Sequence, residues 1–124
     1  MTQQRDRSGQ VVLNLPELLL RVENDRDLLR ELIDIFKEES PRLLQQLQGH
    51  VIRRDMKSVE ETSHGLKGML SGLSAMPAAS VAARLERMGR EGDIAGLSDA
   101  VTLLEREIEQ LLPELDASIT GAGS

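Results

Sequence analysis

The chain has 124 residues, which fits one domain of ordinary size. Its 15 Lys+Arg and 21 Asp+Glu give a formal net charge of −6, which argues against non-specific binding to nucleic acid or to an anionic membrane surface. The absence of Cys excludes disulfides, thiolate metal sites and a Cys nucleophile. No apolar run approaches the roughly 18 residues needed to span a bilayer, and the N-terminus lacks the apolar core of a signal peptide. We therefore expect a cytoplasmic protein without direct membrane contact.

The beginning of the chain is polar and has no periodicity, so residues 1–13 are expected to be a disordered lead-in. Asn14 then precedes a short apolar run with Pro16 in its first turn, which is the pattern of a short capped helix. We expect this helix to cover the first half of the helix that follows it.

A second, long helix is predicted from about residue 25 to residue 53, with Asn24 or Asp25 as its N-cap. Pro41 interrupts the pattern and is expected to kink this helix rather than end it. Its buried seam follows 3-4 spacing and consists of Leu29, Ile33, Phe36, Leu43, Leu47 and Val51. A neighbouring stripe is apolar at first and polar later: Leu28, Leu32, Ile35, Glu39, Arg42 and Gln46. The short first helix should cover the apolar half of this stripe and leave the polar half in water.

Asp55 is the predicted N-cap of a third helix that runs to about Leu73. A fourth helix is predicted over about residues 78–88, after a break at Pro77. Residues 89–93, which contain two glycines, are read as the connection to the next helix.

The last helix is predicted over about residues 97–115, with its end bent by Pro113, and residues 118–124 are expected to be a disordered tail. Phe36 is the only aromatic residue, so aliphatic side chains must fill the core, which suits interdigitated helices better than a sheet. The predicted fold is all-α: an up-down-up-down four-helix bundle over residues 14–117 with a short N-terminal covering helix.

The third helix carries the one cluster of residues that suggests chemistry. At 100° per residue, His64 lies at the centre of its solvent face. The residues on the opposite side are Val59, Thr62, Leu66, Leu70 and Leu73. Those within about 60° of His64 are Lys57, Glu60, Glu61, Lys67, Gly68, Ser71 and Ala75. We therefore expect His64 to project into solvent from the middle of the helix.

An exposed imidazole is nucleophilic in its neutral form, and phosphorylation of a ring nitrogen would place a dianion on this face. Lys67, three residues on, would supply a compensating ammonium. Gly68, four residues on, would let another protein approach the ring. Glycine inside a helix costs about 1 kcal/mol relative to Ala, and this helix contains three, at positions 65, 68 and 72, which favours close approach on some side. Spacing alone also fits an ordinary surface histidine.

Signatures of an enzyme active site are missing. The chain has no Gly-rich phosphate loop, so nothing would bind ATP, and no His or Cys pairing suits a metal site. Ser63 points about 100° away from His64, and no Asp is placed to orient the ring. Glu60 and Glu61 are interpreted as solvated charges. Any phosphoryl group on His64 would therefore come from another protein.

The sequence resembles the histidine-containing phosphotransfer (HPt) domain family. Residues 62–75, TSHGLKGMLSGLSA, resemble its phospho-acceptor motif, His-x-Leu-Lys-Gly followed by small residues. Residues 27–44 resemble the helix that precedes this motif in the family. Asp55 lies nine residues before His64, where the family usually has an Asp. Further on, Ala83–Glu86 and Gly92-Asp93 resemble the family's fourth helix and the turn after it. The likeness covers about residues 15–117. It departs at Ser74, where the family commonly has Gly, and at positions 65 and 69.

The resemblance implies a four-helix bundle that relays a phosphoryl group in two-component signalling. His64 would accept the group from a receiver-domain aspartate and pass it to another, with Lys67 and Gly68 beside it. The implied partners are response-regulator receiver domains and a sensor or hybrid histidine kinase. No cofactor is expected, because the Mg²⁺ that the chemistry needs would lie in the receiver. Two alternatives stay open: an adaptor bundle that carries no phosphate, or an acceptor domain excised from a larger histidine kinase, which would place it in the cytoplasmic part of a membrane sensor.

A docking surface can be predicted around His64. It comprises Gly68 and Ser71 with the neighbouring stripe of the second helix, namely Ile35, Glu39, Arg42 and Gln46. In an antiparallel pair that turns near Asp55, His64 is level with about residue 46, so a receiver domain would lie across both helices.

Overall fold

The computed structural model describes residues 4–5 and 11–120. Within these ranges the elements are β1 (Gln4–Arg5), β2 (Val11–Leu13), α1 (Leu15–Arg21), α2 (Arg26–Ile52), α3 (Met56–Gly72), α4 (Met76–Glu91) and α5 (Leu97–Ile119). The two short strands pair in antiparallel orientation. The prediction of a helical bundle with a short N-terminal helix is confirmed. None of the helices in the described ranges has the length and apolarity to cross a bilayer.

The four long helices form a closed ring of contacts. Helix α2 packs on α3, α3 on α4, α4 on α5, and α5 returns to α2. Short connections join successive helices, which is typical of antiparallel neighbours in a bundle. The largest fully buried side chains are aliphatic apart from Phe36: Leu13, Leu18, Leu29, Ile33, Leu47, Leu66, Leu70, Leu85, Leu97, Leu104 and Leu111.

Side-chain caps fix the beginnings of the first three helices, as predicted. The carboxamide of Asn14 and the carboxylate of Asp25 each accept a backbone N–H three residues on. Asp55 accepts both the backbone N–H of Ser58, at 3.2 Å, and its hydroxyl, at 2.8 Å. These two hydrogen bonds hold the pKa of the Asp55 carboxyl below its usual value. Helix α2 also continues through Pro41, as predicted.

The ends of the domain extend beyond the predicted limits. Val11–Leu13, predicted to be disordered, form a strand in which Val12 and Leu13 are buried. Helix α5 passes through Pro113 and runs to Ile119, with Ser118 buried, so the predicted tail begins too early. Apolar side chains at both ends pack into the core, and this burial explains why these segments form regular secondary structure. Gln4–Arg5 of the predicted lead-in form the other strand, and residues 1–3, 6–10 and 121–124 lie outside the described residues.

The predicted cover over the first half of α2 is wrong. Leu28 and Ile35 remain 37% and 49% exposed. The N-terminal segment packs at the α3–α4 turn instead, where the Asn14 backbone N–H donates to the Ser74 carbonyl at 3.1 Å, and β2 contacts α4 and α5. One apolar edge of α2 is therefore open to solvent beside α3.

Helix α4 is longer than predicted and packs closely on α3. It begins at Met76, and Ala75 is buried at its N-cap rather than lying on the face of His64. Gly89, predicted to lie in a connection, is buried inside α4. A Cβ at Gly89 would lie 2.6 Å from the backbone nitrogen of Glu60, a distance that real Cβ atoms do not adopt. This glycine is what lets α4 lie directly against α3.

The three glycines of α3 have a different role. A Cβ at position 65, 68 or 72 would meet no atom within 4 Å, so none of them serves contact between helices of this domain. Ser74, which follows α3, has a φ of +57°. This left-handed conformation favours glycine, so Ser74 carries a conformational cost that a glycine would not.

Candidate functional site

His64 projects from the middle of α3, away from the core. Its side chain is 67% exposed, whereas Leu66 and Leu70 of the same helix are fully buried. The exposure predicted from the helical periodicity is confirmed. The ring nevertheless has a partner: its Nδ1 atom lies 2.9 Å from Oε2 of Glu86 on α4. The sequence interpretation found no Asp placed to orient the ring, and the residue that does so is a Glu on the neighbouring helix.

Glu86 is the central acceptor of the site. Only 10% of its side chain is exposed, and its Oε1 accepts a hydrogen bond from Lys67 Nζ at 2.6 Å. Arg90, one turn later on α4, places Nη2 3.4 Å from Oε2. The hydrogen bond from Lys67 lowers the pKa of the Glu86 carboxyl, His64 lowers it further, and these contributions outweigh the opposing effect of burial. Glu86 is therefore an anion at neutral pH.

The ionised carboxylate decides which ring nitrogen of His64 is free. A carboxylate only accepts hydrogen bonds, so the Nδ1 atom that faces Glu86 carries the proton in the neutral ring. The Nε2 atom then keeps its lone pair, on the side of an exposed ring that no residue of the described chain binds. This arrangement presents a nucleophilic nitrogen to a partner in solution.

Lys67 lies close to His64, as its position three residues on requires. Its ammonium shares the Glu86 carboxylate with the ring, and its side chain is 35% exposed. The lysine is therefore not a free surface cation in this structure. It is held beside the imidazole by a carboxylate on the neighbouring helix.

Arg90 extends this network to a second carboxylate on α3. Its Nε lies 3.3 Å from Oε2 of Glu60, which is four residues before His64. Glu60 was expected to be a solvated charge, but it is half-buried and paired across the two helices. The close contact at Gly89 brings these two helices near enough for these ion pairs.

An apolar groove opens beside His64 on the same side of the bundle. It encloses about 280 Å³ between α2 and α3 and is lined by Leu32, Ile35, Phe36, Gly68, Met69, Gly72 and Leu73. Two predicted docking residues, Ile35 and Gly68, therefore line one surface feature. The groove follows from the uncovered edge of α2 and from the missing side chains at Gly68 and Gly72.

The other predicted docking residues lie outside this groove lining. Ser71 is half-buried on α3, and Gln46 is exposed on α2. Glu39 and Arg42 of α2 form an ion pair with each other. His50, the second histidine, is half-buried and contacts the guanidinium of Arg53 at 3.0 Å near the end of α2.

The sequence interpretation missed Glu86 and Arg90 as parts of the site. A signal for Glu86 is present in α4, where it lies in register with the buried small residues Ala79, Ala82 and Gly89. A single acidic residue in such a stripe must be paired, because an unpaired buried charge is costly. The pattern does not identify the partner, since His64 and Lys67 belong to another helix.

The site has no cluster that suits a metal ion. Among the described residues, no group of three or more His, Cys, Asp or Glu side chains is placed to hold one. The ion-pair network beside His64 consists of Lys67, Glu86, Arg90 and Glu60 and crosses from α3 to α4. The arrangement places an oriented imidazole beside an ammonium.

Comparison with known protein families identified a family that this chain matches. A family model described as Hpt domain matches residues 31–114, which include most of α2, all of α3 and α4, and most of α5. No curated protein and no solved structure matched the chain.

Proposed function

The chain belongs to the Hpt domain family, and on that premise we propose that His64 is its phosphoryl-acceptor residue. Hpt domains carry out histidine phosphotransfer in two-component signalling, in which they interact with receiver domains and histidine kinases. They have no kinase or ATP-binding activity of their own. The observation that carries the assignment is the geometry of His64, an exposed ring whose Nδ1 is bound by a buried carboxylate.

The proposed reaction begins with the lone pair of His64 Nε2. This atom attacks the phosphorus of an aspartyl phosphate on a receiver domain, and the bond between phosphorus and the carboxylate oxygen breaks. The receiver regains a free aspartate, and His64 gains an Nε2–P bond. Onward transfer reverses these steps toward the aspartate of another receiver.

Glu86 assists this transfer through the far side of the ring. When the Nε2–P bond forms, positive charge develops on an imidazole whose Nδ1 already carries a proton. The Glu86 carboxylate, 2.9 Å from Nδ1, stabilises that charge without moving. Its low pKa keeps it ionised for this purpose at neutral pH.

Lys67 supplies positive charge to the phosphoryl group as it arrives. Its side chain is flexible and partly exposed at the edge of the site, so the ammonium can turn from Glu86 toward a group on Nε2. We place the Mg²⁺ of the reaction in the receiver and assign no metal to this domain. Catalysis then consists mostly of positioning.

Receiver docking is assigned to the groove and the polar residues near it. The apolar lining from α2 and α3 gives a partner surface to bury, and Gly68 removes the side chain that would separate that surface from His64. The predicted residues Ser71, Glu39, Arg42 and Gln46 form the polar surroundings. Receiver domains of this signalling system operate in the cytoplasm, where we place the protein.

The direct test is to detect the phosphorylated residue. The domain is incubated with a phosphorylated receiver and analysed by mass spectrometry at neutral or basic pH, which preserves phosphohistidine. We expect to detect a phosphoryl group on His64 of the wild-type domain and none on the His64→Gln variant. The His50→Gln variant should accept phosphate as the wild type does. Acid-labile phosphate on His64→Gln would overturn the assignment. A domain that binds phosphorylated receivers without accepting the group would be an adaptor.

A further inference from the structure

Arg90 joins the two helices that form the site. Its guanidinium contacts two carboxylates through different nitrogens: Nε lies 3.3 Å from Glu60 Oε2, and Nη2 lies 3.4 Å from Glu86 Oε2. Glu60 belongs to α3 and Glu86 to α4, so the contacts cross the helix interface. Arg90 reaches the same oxygen that binds His64 Nδ1.

The two oxygens of Glu86 have different partners. Oε1 binds Lys67 at 2.6 Å, whereas Oε2 binds His64 and Arg90. A phosphoryl group on Nε2 would attract the Lys67 ammonium, which is the shortest contact of Glu86. When Lys67 turns to that group, Glu86 keeps only the partners of Oε2 among the described residues.

We propose that Arg90 is a positioning residue that keeps Glu86 aimed at His64 Nδ1, both before phosphotransfer and when Lys67 turns to the phosphoryl group. This inference rests on the proposed function of His64. Arg90 suits the role because the planar guanidinium binds two acceptors at once. Its contact with Glu60 anchors it to α3, so it stays in place when Lys67 leaves.

Arg90 is itself 56% exposed, and exposed ion pairs are usually weak. The role proposed here does not require a large effect on stability. It requires that the Arg90 guanidinium fixes the orientation of the Glu86 carboxylate. That carboxylate in turn determines which ring nitrogen of His64 carries the proton. Those quantities can be measured separately from folding.

The test compares Arg90→Gln with Arg87→Gln, an exposed arginine of the same helix with no role in the proposal. The NMR shifts of the His64 ring nitrogens, recorded in ¹⁵N-labelled protein above the pH at which the ring is protonated, report where the proton resides. Arg90→Gln should lower the fraction with the proton on Nδ1, and Arg90→Lys should restore it in part. Arg87→Gln should match wild type.

The second readout is transfer from a phosphorylated receiver. Arg90→Gln should lower the maximal rate about two- to fivefold, the effect of losing one partly exposed ion pair, and leave the half-saturating receiver concentration unchanged. In a Glu86→Gln background the same substitution should have no further effect, because Arg90 acts through Glu86.

The results separate this inference from the proposed function. Unchanged ring-nitrogen shifts in Arg90→Gln, or an equal effect of Arg87→Gln, would overturn the role of Arg90 even if His64 is phosphorylated. Additive losses in the double variant would overturn it as well. If wild-type His64 accepts no phosphate, the proposed function fails, whereas the ring-nitrogen comparison still decides whether Arg90 positions the imidazole.

Discussion

The contact between α3 and α4 at Gly89 gives the sharpest prediction of stability. In Gly89→Ala the new Cβ would lie 2.6 Å from the Glu60 backbone nitrogen and 2.9 Å from the Met56 carbonyl oxygen. Ordinary contact begins at 3.4 Å, so the helices must separate by about 0.8 Å. Both atoms belong to helix backbone, which cannot rotate away as the end of a side chain can.

The expected change in the free energy of unfolding is the difference between two opposing effects. Overpacking of this kind costs up to about 3 kcal/mol, and replacing a helical glycine by alanine returns about 1 kcal/mol. Gly89→Ala should therefore lose about 2 kcal/mol, which is a fall in Tm of roughly 8 °C for a domain of this size. The separation also moves Glu86 away from His64, so the phosphotransfer rate should fall.

Gly68→Ala is the matched control, because it makes the same chemical change where a Cβ meets nothing within 4 Å. It should gain about 1 kcal/mol from helix propensity. Urea unfolding of the wild type and both variants measures how each substitution changes the free energy of unfolding, with equal m-values as the check on two-state behaviour. If Gly89→Ala is as stable as wild type, the backbone contact does not limit the helix spacing, and our explanation of this glycine is wrong.

Four further predictions concern the site and its surroundings. Lys67→Ala should slow phosphotransfer while the domain still folds, and an unchanged rate across a salt series would show that the ammonium has no role. Gly68→Gln should raise Tm slightly, because it improves helix propensity, and should sharply reduce transfer by filling the groove; wild-type transfer in this variant would refute the docking surface. Because the folded-state pKa of Glu86 is lowered, its ion pairs stabilise the fold above the usual carboxyl pKa of 4.5, and this stabilisation is lost as pH falls through the folded value. Glu86→Gln should therefore be less stable than wild type at neutral pH and lose less stability on acidification. Parallel plots of stability against pH for the two proteins would contradict this. Ser74→Gly should gain about 1 kcal/mol by relieving the left-handed conformation, as measured by denaturant unfolding, whereas a loss would mean that the Ser74 side chain is needed.

Local patterns in the sequence determined the helices and the exposure of His64. Capping by Asn14, Asp25 and Asp55 depends on atoms three residues away, so the sequence was sufficient to locate those helix starts. The position of His64 opposite Leu66 and Leu70 follows from helical periodicity alone. The identity of the family was also readable in the motif around His64.

Contacts between helices determined the side-chain partners of His64 and the apolar surface beside it. These features could not be read from the sequence, because the contacts join residues that are distant in the chain. Glu86 lies 22 residues from His64, and Arg90 lies 30 residues from Glu60, so no spacing rule connects them. The sequence likewise could not show that Gly89 touches α3 while Gly68 faces open space, since both are glycines inside helices. Which apolar residues are covered depends on where the N-terminal segment packs, and it packs on the α3–α4 turn rather than over Ile35. Local sequence therefore determined the position and exposure of His64, and tertiary packing determined its carboxylate partner and the apolar groove.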